Sequence, residues 1–151
     1  MALSTTQSIW RSGGGDQTRT AYCGSGVMAA QFYIADASTV GSTNVKVSSV
    51  SGAPDLILPA GAVVLSVAIN DAGSGSIDIG TTGFTSGTVS AAAIANNLSV
   101  ASTGVVTSGL TLAASTEMAY VTSRIDTSGS GTVGGYITYF VVDPLAGQQN
   151  V

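Results

Sequence analysis

Hydrophobic and polar positions alternate with a period of two along most of the chain after residue 26. Met28, Ala30, Phe32 and Ile34 alternate with Ala29, Gln31 and Tyr33. That is the pattern of a half-buried strand, whose successive side chains point to opposite faces. Val45 and Val47 flank Lys46 in a second run, and Leu56 and Leu58 lead into the turn residues Pro59-Ala60-Gly61. The longest alternation sets Val63, Leu65, Val67 and Ile69 against Val64, Ser66, Ala68 and Asn70. Asn70-Asp71-Ala72-Gly73-Ser74-Gly75 turns it back into Ile77-Asp78-Ile79, where Asp78 is expected to face outward.

Residues Val89 to Asn97 contain three consecutive alanines, which predicts a short helix there. Leu98, Val100, Val105, Leu110 and Leu112 mark shorter strands, separated by Ser102-Thr103-Gly104 and Ser108-Gly109. Met118 to Ile125 and Tyr136 to Val142 predict two final long strands joined across Asp126 to Gly131. Roughly eight short strands, with a turn signal about every 8–12 residues, predict an all-β sandwich or barrel.

The final strand is apolar on both sides. Tyr136, Thr138, Phe140 and Val142 lie on one face, Ile137, Tyr139 and Val141 on the other. A strand of a two-sheet protein ordinarily keeps one face wet. Either this strand is central and covered, or its outer face meets another subunit; the second reading makes Tyr136, Thr138, Phe140 and Val142 partner-binding residues.

Residues 1–26 follow neither period. They are polar and broken by Gly13-Gly14-Gly15, Gly24 and Gly26, yet they hold Trp10, the only tryptophan, between Ile9 and Arg11. A large aromatic beside an arginine is the composition of an interface anchor. The segment reads either as a loose terminal tail or as an extended arm that orders on a neighbour, the second reading making Ile9, Trp10, Arg11 and Arg19 its binding residues. The domain layout is then an arm at 1–26, a β-domain at 27–143 and a tail at 144–151.

Composition sharpens the assembly reading. The chain has 151 residues, the size of one domain, and buries roughly 70% of its extended surface on folding, without help from metal or disulfide. Charged residues are only 8%, with mean hydropathy +0.43. A free monomer so poor in charge has little colloidal protection, whereas interface cores are depleted in charge. The expectation is a homo-oligomer, with a trimer favoured. Arg11 and Arg19 against Asp16 give the arm +1, while the remainder, with Lys46 and Arg124 against seven acids, carries −5. No basic stripe suits nucleic acid, and no apolar run approaches the roughly 18 residues of a membrane helix. No signal peptide is visible, so the chain is expected to stay in the cytoplasm where it is made.

Catalytic chemistry is conspicuous by its missing parts. The absence of histidine removes the commonest general base and metal ligand. The single cysteine, Cys23, has no base to activate it. The acids stand singly, and Asp126 to Gly131 has the glycines but not the carboxylates of a calcium loop. Gly129 to Gly134 matches G-x-G-x-x-G, but β-formers follow it where a dinucleotide site needs a helix. Coupling of Lys46 to an Asn beside Glu117 lacks a motif. No enzyme activity, cofactor or metal is expected.

A sequence of landmarks carries a family resemblance: Leu58-Pro59-Ala60-Gly61-Ala62-Val63-Val64, then Ile77-Asp78-Ile79-Gly80-Thr81, then Ser102-Thr103-Gly104, then Gly134-Gly135-Tyr136-Ile137-Thr138-Tyr139. Over about residues 56–143 the chain resembles the small β-rich virion proteins of tailed bacteriophages, of the capsid decoration (cement) and head-fibre types. The resemblance implies a jelly-roll-like sandwich bound to the outside of a capsid shell. Its partners would be the major capsid protein or other virion subunits, met after synthesis in the host cytoplasm. The competing expectation is a receptor- or glycan-binding module of a tail fibre or adhesin, which calls for exposed aromatics near the loops. A shell-forming jelly-roll protein is a third, for which the chain is short.

Overall fold

The computed structural model describes residues 27–106 and 117–141. Ile9, Trp10, Arg11, Arg19 and Val142, the 1–26 arm and the 144–151 tail lie outside the described residues, as do Leu110 and Leu112. Among the described residues there is no helix. Nine strands run in the order β1 (Met28–Ile34), β2 (Thr43–Asn44), β3 (Ile57–Leu58), β4 (Ala62–Asp71), β5 (Ser74–Gly83), β6 (Val89–Ser99), β7 (Gly104–Val106), β8 (Ala119–Ser130) and β9 (Val133–Val141).

They form two antiparallel sheets. One is four-stranded, in the order β1-β9-β4-β7; the other runs β2-β8-β5-β6, with β3 also paired to β8. The pairing is nested: β5 pairs with β6, β4 with β7, β2 with β8, and the outermost β1 with β9. The inner faces of both sheets share one core. Phe32, Val67 and Ile137 come from the first sheet and Ile77, Ile79 and Val121 from the second, all buried. Along one edge, Lys46 exchanges backbone hydrogen bonds with Tyr33 of β1, while Val45 bonds to Val121 of β8. One short run of chain thus ties the two layers together, the usual way a strand turns a sheet corner.

Three local expectations are corrected. The helix at Val89 to Asn97 is strand β6: Ile94, Ala95 and Leu98 are buried in the core. Alanine's helix preference, well under 1 kcal/mol per residue, loses to that burial. Asp126 to Ser130 do not form the turn but continue β8, because Gly129 and Ser130 pair with Gly75 and Ser74 of β5; the reversal is left to Gly131, at φ 81°. Asp78 lies on the outer side of its sheet, opposite to Ile77 and Ile79, but it is buried rather than solvated.

Candidate docking surface

The outer face of the four-stranded sheet is uncharged across its centre. Strand β9 sits between β1 and β4. The pleat turns Val133, Ile137 and Tyr139 inward and leaves Tyr136, Thr138 and Phe140 outward. Register places Gln31, Tyr136, Ala68 and Val105 in one row across all four strands. Ala29, Thr138 and Ser66 form the next row, and Phe140 pairs with Val63 beyond them. Tyr136 is 40% exposed, and Val105 is more so. Asp71, opposite Gly134, stands only at the rim. The structure brings Tyr136, Thr138 and Phe140 onto one face.

Gly135 explains how tightly this sheet is drawn together. A Cβ there would run into the Ala68 carbonyl of the neighbouring strand and the Phe32 ring. Only hydrogen fits, so the β9–β4 pair beneath Tyr136 is closely held.

On the other sheet, β6 folds over β5. From Ile79 to Thr81 a step of two residues on β5 is matched by five on β6, from Ala95 to Ser90. Gly80 makes room, since a Cβ there would strike the Ser90 carbonyl and the Ala91 backbone. Beneath this fold Asp78 is 1% exposed. Its Oδ2 accepts hydrogen bonds from Nε and Nη2 of Arg124, at 2.9 and 2.8 Å. Its Oδ1 accepts the N–H of Asn97 at 3.0 Å, and Asn97 itself takes the left-handed conformation, φ 53°. The buried carboxylate is therefore a clamp on the β6 backbone. Thr122, opposite Gly80 on β8, is buried with its hydroxyl unpartnered.

The remaining ionic contacts are structural too. The Lys46 ammonium lies 2.6 Å from Asp55 Oδ1, and Asn44 Nδ2 donates to Oδ2 at 2.9 Å. The Lys46 hydrogen bond, and then that of Asn44, hold the Asp55 carboxyl below its ordinary range. Glu117 caps the β5–β6 hairpin, accepting the N–H of Thr85 at 2.8 Å and of Ser86 at 3.2 Å. Hydrogen bonds from the Ser86 side chain and the Thr85 backbone lower its carboxyl. It is engaged there, whereas Lys46 is engaged by Asp55. Gly129 to Gly134 spans the β8–β9 hairpin, with no helix for a pyrophosphate. Among the described residues no group of three metal-ligating side chains converges.

A second apolar area escaped the sequence reading. On the outer face of the five-stranded sheet, Ile57, Tyr120, Thr82 and Val89 form a row across β3, β8, β5 and β6. Phe84 stacks on Tyr120 with ring centroids 5.3 Å apart and planes at 26°. Met118 adjoins them through its carbonyl, which accepts the Phe84 N–H. These residues come from four separate stretches of sequence, so only register could have revealed them.

No protein-family model matches the chain, and no curated protein matches it. Among solved structures, a chain of the cyanophage Pam1 capsid asymmetric unit is similar, with a TM-score of 0.53 at 18% identity. The alignment covers 85% of this chain and 96% of that one. At that identity the likeness is one of fold.

Proposed function

We propose that the chain is a non-enzymatic structural protein of a bacteriophage virion. In this reading it binds the outer shell as a decoration (cement) protein and stabilises contacts between capsomers. The nested pairing, with β1-β9-β4-β7 facing β2-β8-β5-β6, is read as a jelly-roll sandwich. That architecture recurs in viral capsid proteins and also in lectins. The observation that carries the proposal is the uncharged outer face holding Tyr136, Thr138 and Phe140, on a fold similar to a capsid-unit chain. Docking there desolvates no buried charge and seats a tyrosine, the kind of anchor on which interfaces concentrate their energy. Copies associate as a trimer in the same reading, and several such faces then bind a shell with avidity.

The test is co-sedimentation with shells of the cognate major capsid protein. Wild-type chain should pellet with shells, and Tyr136→Glu should not, with its circular dichroism unchanged. Equal pelleting of the two would remove this face from the interface.

A receptor- or glycan-binding module is the second reading, and one observation favours it: the exposed Phe84 stacked on Tyr120 beside the β5–β6 hairpin. Saccharide binding on a glycan array, lost in Phe84→Ala, would select it.

A further inference from the structure

The two ends of the described fold differ in chemistry. Asp36, Asp71 and Asp126 gather toward the end where the β4–β5 and β8–β9 hairpins turn. The other end is reached by Met28, opposite Tyr139, and by Ala119, opposite Gly83. Here the residues outside the description join on, at Val27, between Val106 and Glu117, and after Val141. The apolar patch of the five-stranded sheet lies at this same end. Val89 is 55% exposed, Phe84 46% and Met118 45%. Glu117, next to Met118 in the chain, borders it and has no cationic partner among the described residues. Two of the chain's four cations, Lys46 and Arg124, are already committed to Asp55 and Asp78; the other two are Arg11 and Arg19.

We propose that Ile9-Trp10-Arg11 of the same chain seats on this patch, Trp10 against Met118 and the Phe84–Tyr120 pair, Arg11 toward Glu117. The match is one of pattern: two large apolar side chains and one cation meet an exposed apolar surface bordered by a carboxylate that has no cationic partner among the described residues. The linker reaches. Residues 12–26 can span up to about 50 Å when extended. From β1 the route passes round the β2–β3 edge, to which Lys46 ties β1. It crosses one inter-sheet spacing of ~10 Å and one inter-strand spacing of ~5 Å. A tether of that length holds its end at about millimolar effective concentration. At micromolar protein, the chain's own patch therefore outcompetes that of a second copy. This inference stands apart from the virion reading.

Trp10 is the only tryptophan, so emission excited selectively at the red edge of the indole band, where tyrosine does not absorb, reports its surroundings alone. In the full-length protein, emission should be blue-shifted, and acrylamide quenching several-fold weaker than in urea. Val89→Glu and, separately, Met118→Glu should each restore strong quenching with far-UV circular dichroism unchanged. Both positions are exposed, so the fold is expected to survive; Val89→Gln supplies a milder probe of the same contact. Protection should persist on dilution. Three results would overturn the proposal: a Trp10 quenched as strongly in the native protein as in urea, protection that survives all the patch substitutions, or protection lost on dilution, which would assign the arm to another copy.

Discussion

Removing the guanidinium that covers Asp78 is the sharpest test of how β6 is held. Arg124→Met keeps the aliphatic stem but deletes both donors to Oδ2. Asp78, 1% exposed in the wild-type fold, is then left with only the Asn97 N–H as a donor. Breaking a buried pair from one side ordinarily costs about 3–5 kcal/mol. The Arg124 side chain is 44% exposed, so water can take over part of its role, and the expected loss falls to about 2–3 kcal/mol. Asp78→Asn keeps one oxygen to accept the Asn97 N–H but turns its NH2 group toward the two Arg124 donors that Oδ2 had accepted, a loss of about 2 kcal/mol. The double variant leaves no unpaired charge, so it should be less destabilised than the two singles added together, with a coupling of about 1 kcal/mol or more. Lys46→Met, which breaks the exposed pair with Asp55, should cost no more than about 1 kcal/mol. Urea unfolding of the four variants, followed by circular dichroism, measures all of these. If Arg124→Met costs no more than Lys46→Met, or the double variant shows no coupling, Asp78 is not the clamp described here.

Other substitutions probe neighbouring parts of the fold. Thr122→Val replaces a buried, unpartnered hydroxyl with a methyl of similar shape and should stabilise the protein by about 1 kcal/mol, read from the same urea transitions. Gly135→Ala places a methyl against the Ala68 carbonyl; it should destabilise the fold by about 2 kcal/mol or more, which thermal unfolding would reveal. The Asp36, Asp55 and Glu117 carboxyls are held below their ordinary values by hydrogen bonds from Ser38, from Lys46 and from Ser86 respectively. Their contribution is complete above the unfolded values, 3.8 for Asp and 4.5 for Glu. It is lost as pH falls through the lower folded values. Stability should therefore be level above about pH 5 and decline below it, with a shallower decline in Glu117→Gln; an identical acid slope in that variant would remove Glu117 as a contributor.

What the sequence disclosed depended on how local the deciding interaction was. The two faces of β9 were legible because the pleat alone sends Tyr136 and Ile137 to opposite sides. The all-β class followed from the same period and the glycine-rich turns. The Ala91–Ala93 run misled because its preference is local and small, while the register of Leu98 and Ala95 against Ile77 and Ile79 decides the outcome. Asp78 looked like an ordinary turn-flanking acid. Its partner Arg124 lies 46 residues away and meets it only through β5–β8 pairing. The Phe84–Tyr120 patch was hidden for the same reason, assembled from residues that no linear pattern joins.

The nested pairing also sets a timetable for synthesis. Among the described residues, the strand partner of Met28 is Tyr139, 111 residues further on. At ribosomal rates of about 5–20 residues per second, β1 waits on the order of 5–20 s for the strand that completes its sheet. The hairpin of β5 and β6 can close early, but the outer strands cannot lock until translation is nearly finished. During that interval Phe32 and Ile34 have no complete core to enter, and the nascent chain presents an open strand edge. Folding is thus dominated by pairings distant in sequence, the class that folds in milliseconds to seconds once the chain is whole. A ribosome-bound chain truncated before Val133 should remain open to proteolysis within β1, and extension past Val141 should close it.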